Sequence, residues 1–240
     1  ILLLPMFARP VATALDWERL TGVYTDYLIE DPPLNRVFPD HFRSMFIALE
    51  ALSALGYKRP GLVLHQRHAE RMLYRFESAF DSFWAHHAGE SMPPHLIFEE
   101  LKRDAFLDWF RTSQPDVVIA HPAEIVDWMQ EAGCRVPETH GFCSLNVITA
   151  GRPVAGLDLM PGLAGQRGME MLVAQIQRYE LGIPQFPLMA SYDGAWREGP
   201  TLRMQDANSS RTAAKAGHSP NGTLAKRKSR IGRKPARDDK

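Results

Sequence analysis

At 240 residues, 45% of them hydrophobic, and with a formal net charge of zero, the chain is sized for one large or two smaller hydrophobic cores in a soluble globular protein. Its longest apolar runs fall well short of the roughly 20 residues of a membrane span, so no transmembrane segment is expected. Cys134 and Cys143 are the only cysteines and lack metal-ligand spacing, and a reducing cytosol suits them better than a disulfide framework. The zero charge hides an asymmetry: from Thr201 to Lys240 eleven Lys/Arg stand against three Asp/Glu, leaving seventeen against twenty-five in residues 1–200, so the body is acidic by eight and the tail basic by eight.

In chain order, hydrophobic periodicity predicts a strand at Ile1–Leu4, a helix at Val11–Leu20, strands at Gly22–Tyr27 and Arg36–Phe38, and a helix at Asp40–Leu55. A strand at Gly61–His65 and a helix at Ala69–His87 follow, then a strand at His95–Phe98, a helix at Lys102–Thr112, a strand at Asp116–His121 and a helix at Ala123–Ala132. A strand at Gly141–Ile148, a helix at Gly165–Glu180 and a strand at Leu188–Tyr192 complete the body. Strands alternating with amphipathic helices imply an α/β fold of parallel sheets flanked by helices. The first apolar run has no basic leader and no small-residue cleavage site, so it reads as a strand and not as a signal peptide. Because Ile1 is not a natural start, a fragment or a processed product is expected. Residues 201–240 are poor in apolar groups and rich in Ser, Gly, Lys and Arg, the composition of a disordered tail. Their "KRKSRIGRKPAR" can neutralise phosphate charge without reading sequence, or is a solvated extension with no specific partner.

The stretch from Asp40 to His65 shows the local logic. Asp40 is placed to cap a helix, and Phe42, Met45, Phe46, Leu49, Leu52 and Leu55 recur at three- and four-residue spacing to form one apolar face. Gly56 supplies a left-handed stop, and Pro60 opens the next strand, where a missing N–H is tolerated. Ligands of doubly wound sheets bind beyond the carboxyl ends of the strands. That rule directs attention to residues 38–41, 65–68, 121–123 and 146–149.

Motifs for enzymatic chemistry are missing. The sequence has no G-x-G-x-x-G after a strand, no G-x-x-x-x-G-K-[ST], no H-E-x-x-H and no G-x-S-x-G. His86 and His87 close a helix, where cationic side chains sit against the dipole. Glu99 and Glu100, at a strand end, fit solvated loop acids better than acid/base catalysts. No enzyme, no metal and no cofactor are expected.

Three segments carry a family resemblance. "PDHFRSMFIALEALSALGYKRPGLVL", with Asp40 sixteen residues before Gly56, resembles the characteristic segment of the lactose-repressor (LacI/GalR) family of bacterial transcription regulators. "DWMQEAGCRVPETHGFCSLNV" is similar to that family's helix, glycine, "VP" and ligand-proximal strand, and "RGMEMLVAQIQRYELGIPQFPLMASYDGAWREGPTLR" to its closing helix, last strand and "G-x-T-x-R" ending. Together they cover nearly all of residues 1–200. The resemblance implies a two-lobed fold like that of a periplasmic sugar-binding protein, crossed three times by the chain. The crossings are expected near Pro39, Thr149 and Pro184, giving one lobe of residues 1–39 and 149–183 and another of residues 40–148 and 184–200.

The resemblance also implies roles. Asp40 would lie in the interlobe cleft and contact an effector, where a carboxylate accepts hydroxyl hydrogen bonds while capping its helix; a plain helix cap is the other reading. Several positions depart from the family pattern: Arg75-Phe76 stands for Gly-Phe, Met72 with Arg71 beside it for an arginine, His121-Pro122 for Asn-Asp, and Asn146 for an aspartate. Arg71, Arg67 in the preceding loop, His121 and Asn146 are therefore the remaining effector-binding candidates. Trp84 and Trp109 read as core residues, whereas Trp128 and Met129, on a helix used for dimer contacts in related regulators, read as interface anchors. The resulting expectation is the effector-binding and dimerisation part of a transcription regulator. Its partners would be a small, carbohydrate-like effector, a second copy, and operator DNA reached only through an N-terminal helix-turn-helix absent from these residues. A transporter's solute-binding protein, which shares the fold, is the alternative.

Overall fold

The computed structural model describes residues 2–3, 15–27, 31–87 and 95–204. A first sheet is built from Leu2–Leu3 (β1), Val23–Tyr24 (β2), Asn35–Asp40 (β3) and, far along the chain, Met189–Asp193 (β9). Its order is β1-β2-β3-β9 and every pair is parallel. The second sheet contains Pro60–His65 (β4), Leu96–Phe98 (β5), Val117–Ala120 (β6), Gly141–Ser144 (β7), Ala155–Asp158 (β8) and Ala195–Arg197 (β10). They are ordered β10-β8-β7-β6-β4-β5, all parallel except that β10 runs against β8.

A parallel sheet must be covered on both faces, and side-chain alternation does this in the second lobe. Leu62, Leu64, Val117, Ile119 and Cys143 share a core with Met45, Leu49 and Leu52 of α1 (His41–Ala54), and with Phe76 and Phe80 beyond the short helix α2 (Gln66–Arg71), on α3 (Arg75–His87). The alternate residues Val63, Val118, Ala120 and Phe142 pack with Phe106 and Phe110 of α4 (Arg103–Ser113) and Ile125 and Met129 of α5 (Ile125–Glu131). In the first lobe, Val23 and Val37 meet Leu172 of α6 (Pro161–Gln177), while Tyr24 and Leu34 meet Trp17. Each Val, Leu, Ile, Phe or Met side chain among them, fully buried, contributes about 1.5–3 kcal/mol.

The helix after Asp40 forms for the reasons its sequence suggests. Asp40 accepts a hydrogen bond from the Arg43 amide at 3.1 Å, and Gly56 at φ 82° ends the helix while the Tyr57 amide donates back to the Leu52 carbonyl at 3.1 Å. The buried stripe is rotated from the expected face: His41, Ser44 and Ala48 are buried with Met45, Leu49 and Leu52, and Phe42, Phe46 and Leu55 are only partly covered.

Several expectations need correction. The helix foreseen at Ala69–His87 is two, α2 and α3, separated by Leu73 and Tyr74 at φ 46° and 57°, a left-handed break that apolar periodicity does not reveal. The strands β8 and β10 were not foreseen. Because β8 belongs to the second sheet and β9 to the first, the chain changes sheets after Asp40, between Asp158 and Pro161, and at Gly194, so the crossings placed near Thr149 and Pro184 each move about ten residues toward the C-terminus. Residues 149–158 and 184–193 change lobes accordingly. The body does not end at residue 200. The Thr201 hydroxyl accepts from the Ala155 amide at 2.9 Å and donates to the Phe142 carbonyl at 2.7 Å, and Leu202 is buried in the core against α1 and β4. Residues 201–204 thus complete the second lobe, and the remainder of the expected tail, 205–240, lies outside the described residues, as do 11–14 of the helix expected at Val11–Leu20. Within that span the described part is a single turn, Trp17–Arg19. No helix among the described residues is long and apolar enough to cross a membrane.

Candidate functional site

The three sheet-to-sheet crossings are laced together. Ser44 Oγ, on the first turn of α1, donates to the Asp40 carbonyl at 2.6 Å and accepts from the Gly194 amide at 2.9 Å, tying the first crossing to the third. The Tyr192 hydroxyl lies 3.0 and 3.2 Å from the carbonyls of Leu159 and Met160, tying the third to the second. Met160, in the left-handed region at φ 45°, donates its amide to Asp158 Oδ1 at 2.8 Å and lets the chain turn into α6. Burial, with the Asp158 carboxylate beside it, pushes the Tyr192 phenol up to about 12, so it stays protonated as a donor.

These crossings floor a cleft of 380 Å³ between the lobes, within the roughly 300–1,000 Å³ range of small-molecule sites. From the first lobe it receives Thr25, Asp26, Pro39 and Tyr192, and from α6 Pro161, Ala164 and Gly165. The second lobe supplies His41, His68, Arg71, Met72, Tyr74, Phe76, Glu77, His121, Asn146 and Thr149. Each of the strand-end segments singled out by the doubly wound rule contributes a wall residue.

Three imidazoles dominate the second-lobe wall. Phe76 meets His41 edge-on at 5.1 Å between ring centroids and His121 at 6.1 Å, and His68 meets His121 at 5.3 Å. Burial, reinforced by His68 and His41, pushes His121 down to about 3, although the residue lines the cleft. Burial, followed by the Arg75 charge and opposed by Asp40, pushes His41 down to about 4. His68 is lowered by burial, then by His65 and Arg71. All three rings are therefore uncharged at neutral pH. His41 Nδ1 is buried and has no hydrogen-bond partner among the described residues.

The charged groups at the rim satisfy one another. Arg71 pairs with the buried Asp26 carboxylate across the cleft. Arg75 donates to the Tyr27 hydroxyl at 3.0 Å, stacks over that ring at 4.3 Å, and lies 3.7 Å from Asp40. Both contacts join the segment after β2 to the second lobe.

The expected site residues divide accordingly. Arg71, His121 and Asn146 line the cleft, and the Asn146 carboxamide oxygen also caps a turn by accepting from the Ile148 amide at 3.3 Å. Asp40 caps α1 and pairs with Arg75, and the wall residue beside it is His41. Arg67 is exposed on α2, away from the cleft wall. Met129, expected to anchor a dimer, is 0% exposed in the core beneath α5 and has no surface to offer a partner. Trp128 is half-buried, its ring 5.8 Å from that of Phe106. Asp26, His41, His68 and Tyr192 were not foreseen. His41 had a signal, because it follows a predicted cap at a strand end, and His68 stood in a segment already singled out.

Two sheets in separate lobes, parallel except for β10, with three laced crossings and a cleft at the strand ends, define a periplasmic-binding-protein-like α/β fold, the fold of LacI-type effector-binding domains. Solved structures similar to this chain have that fold. A LacI family transcriptional regulator from Enterococcus faecium with bound ribose is 17% identical at a TM-score of 0.52, covering 76% of this chain and 70% of its own. One from Arthrobacter sp. FB24 in complex with lactose is 14% identical at a TM-score of 0.59, covering 76% and 71%. A periplasmic binding protein/LacI transcriptional regulator from Alkaliphilus metalliredigens complexed with D-xylulofuranose is 11% identical at a TM-score of 0.56, covering 77% and 71%. No family model matches the chain. No curated protein matches it.

Proposed function

We propose that this chain is the ligand-sensing part of a bacterial transcription regulator, with a small uncharged effector bound in the interlobe cleft. The observation that carries the reading is the cleft itself: apolar walls, uncharged polar groups and the mutually paired Asp26 and Arg71 converge on a space of 380 Å³ whose floor is made of the crossings that set the lobes' orientation. The three laced crossings support a hinge. A ligand that contacts both walls and prefers one lobe orientation shifts the population toward it, by as much as its affinities for the two orientations differ. In a dimer that shift would change the spacing of two DNA-reading heads, the allosteric route of such regulators. The sugars in the solved neighbours belong to the same broad class of small uncharged molecules. Of the side chains first expected at a dimer contact, Trp128 keeps surface for that role.

The test uses the complete product of the reading frame, incubated with random duplex DNA with and without effector. A regulator enriches one sequence, and retention of that sequence changes with effector. A product that binds a ligand in the cleft but enriches no sequence and carries an export signal is instead a transporter's solute-binding protein.

A further inference from the structure

The cleft exposes more apolar than polar surface, a poor match to a polyol. A free sugar brings several hydroxyls, and each one buried without a partner costs about 1–3 kcal/mol. The Arg71 guanidinium and the Asp26 carboxylate pair with each other across the cleft. Much of the remaining wall is apolar or aromatic, from Leu64, Met72, Tyr74, Phe76 and Leu159, beside the imidazoles of His41, His68 and His121. Its other polar groups meet partners within the protein: Asn146 Oδ1 accepts from the Ile148 amide, the Thr149 hydroxyl donates to the Asn146 carbonyl, the Tyr192 hydroxyl lies against the Leu159 and Met160 carbonyls, and Glu77 lies 3.6 Å from His95 Nδ1. Uncharged imidazoles offer no attraction to an anion, and of the two carboxylates in the lining Asp26 is paired with Arg71 while Glu77 lies 3.6 Å from His95 Nδ1.

Among the described residues, one buried polar atom of the cleft wall lacks a hydrogen-bond partner. His41 is 5% exposed, lines the cleft, and leaves Nδ1 without a partner among the described residues. Buried polar atoms are rarely left unsatisfied, and a ligand hydroxyl, which can donate or accept, suits either tautomer of the ring. The edge-to-face rings of Phe76 and His41, 5.1 Å apart, make a wall suited to a flat apolar face.

We propose that the cleft takes an uncharged aromatic compound of one or two rings bearing a hydroxyl that hydrogen-bonds His41 Nδ1, in preference to a free polyhydroxylated sugar. This rests on the reading of the cleft as an effector site, and it replaces the carbohydrate-like expectation with a narrower ligand class.

The test is calorimetric titration of the full chain at neutral pH with alpha-naphthol, naphthalene, ribose and lactose, repeated on two variants. His41→Phe keeps an aromatic wall and removes the nitrogen. Gly165→Phe fills the cleft, at a position where an added Cβ meets nothing within 4 Å. Circular dichroism confirms that both variants fold. Alpha-naphthol is expected to bind at least about tenfold more tightly than either sugar, and about tenfold more tightly than naphthalene, the size of one hydrogen bond. His41→Phe should erase the difference between alpha-naphthol and naphthalene, and Gly165→Phe should abolish binding of both. Tighter binding of ribose or lactose that Gly165→Phe removes would overturn the aromatic class and leave the cleft as the effector site. Alpha-naphthol or sugar binding that Gly165→Phe leaves unchanged would overturn the effector site as well. Absence of alpha-naphthol binding overturns the proposal.

Discussion

Asp26 and Arg71 form an ion pair across the cleft, joining the segment after β2 in the first lobe to the end of α2 in the second. Asp26 is 4% exposed, so Arg71→Met strands a buried carboxylate. Loss of one partner of a buried pair costs about 3–5 kcal/mol. The urea midpoint of Arg71→Met should fall by a corresponding amount, and the double variant Asp26→Asn/Arg71→Met should recover part of the loss. Equal stabilities for the two variants would mean the pair is solvated and does not hold the lobes.

Ser44→Ala removes the acceptor of the buried Gly194 amide and frees the Asp40 carbonyl. A buried donor left unsatisfied costs about 1–3 kcal/mol. Because both partners are crossing segments, hydrogen exchange should speed at Gly194 and at residues 40–44 before it speeds in β6 or β7. Uniform acceleration across the second sheet would show that the crossings do not loosen separately.

The elements of the second lobe were largely legible in the sequence, since Leu62, Val63 and Leu64 alternate between two cores and the residues after Asp40 repeat at helical spacing. β8 was not, because its strand signal is interrupted by Gly156. That residue sits at φ 147°, and a Cβ there would collide with the Ser144 backbone, so close approach to β7 selects a residue that weakens the strand pattern. Missing β8 is what misplaced the second crossing. The site was legible by position more than by residue: the rule about strand ends marked the segments holding His41, His68, His121 and Asn146. Only the fold shows that Asp40 pairs with Arg75 while His41 faces the cleft, and that Tyr192 and Asp26 arrive from the other lobe.

Met129→Ala should cost about 2–5 kcal/mol of stability, as expected for a buried methionine, and leave the sedimentation coefficient of the folded protein unchanged. Trp128→Ala, at a half-buried site, should cost less and is the variant that reports on self-association. A folded Met129→Ala that changes oligomeric state without losing stability would contradict the assignment of Met129 to the core.

The cleft histidines predict a pH dependence. His41 titrates at about 4 in the folded protein against an ordinary value of 6.5, so between those values the unfolded state binds more protons. Its contribution to stability is complete above pH 6.5 and is lost progressively as pH falls toward 4; His121, at about 3, extends the loss further. Denaturant midpoints measured across this window should fall with decreasing pH more steeply for the wild type than for His41→Phe. Parallel curves would show that His41 carries no such penalty.

The most direct test of the cleft as the effector site is a titration followed in nitrogen–proton correlation spectra of the histidine rings, with alpha-naphthol, ribose and lactose added in turn. A ligand in the cleft shifts the rings of His41, His68 and His121, which line it, and leaves those of His86 and His140, which lie outside it, in place. Movement at His86 or His140 with the three cleft rings unchanged, for every compound that binds, would contradict the account.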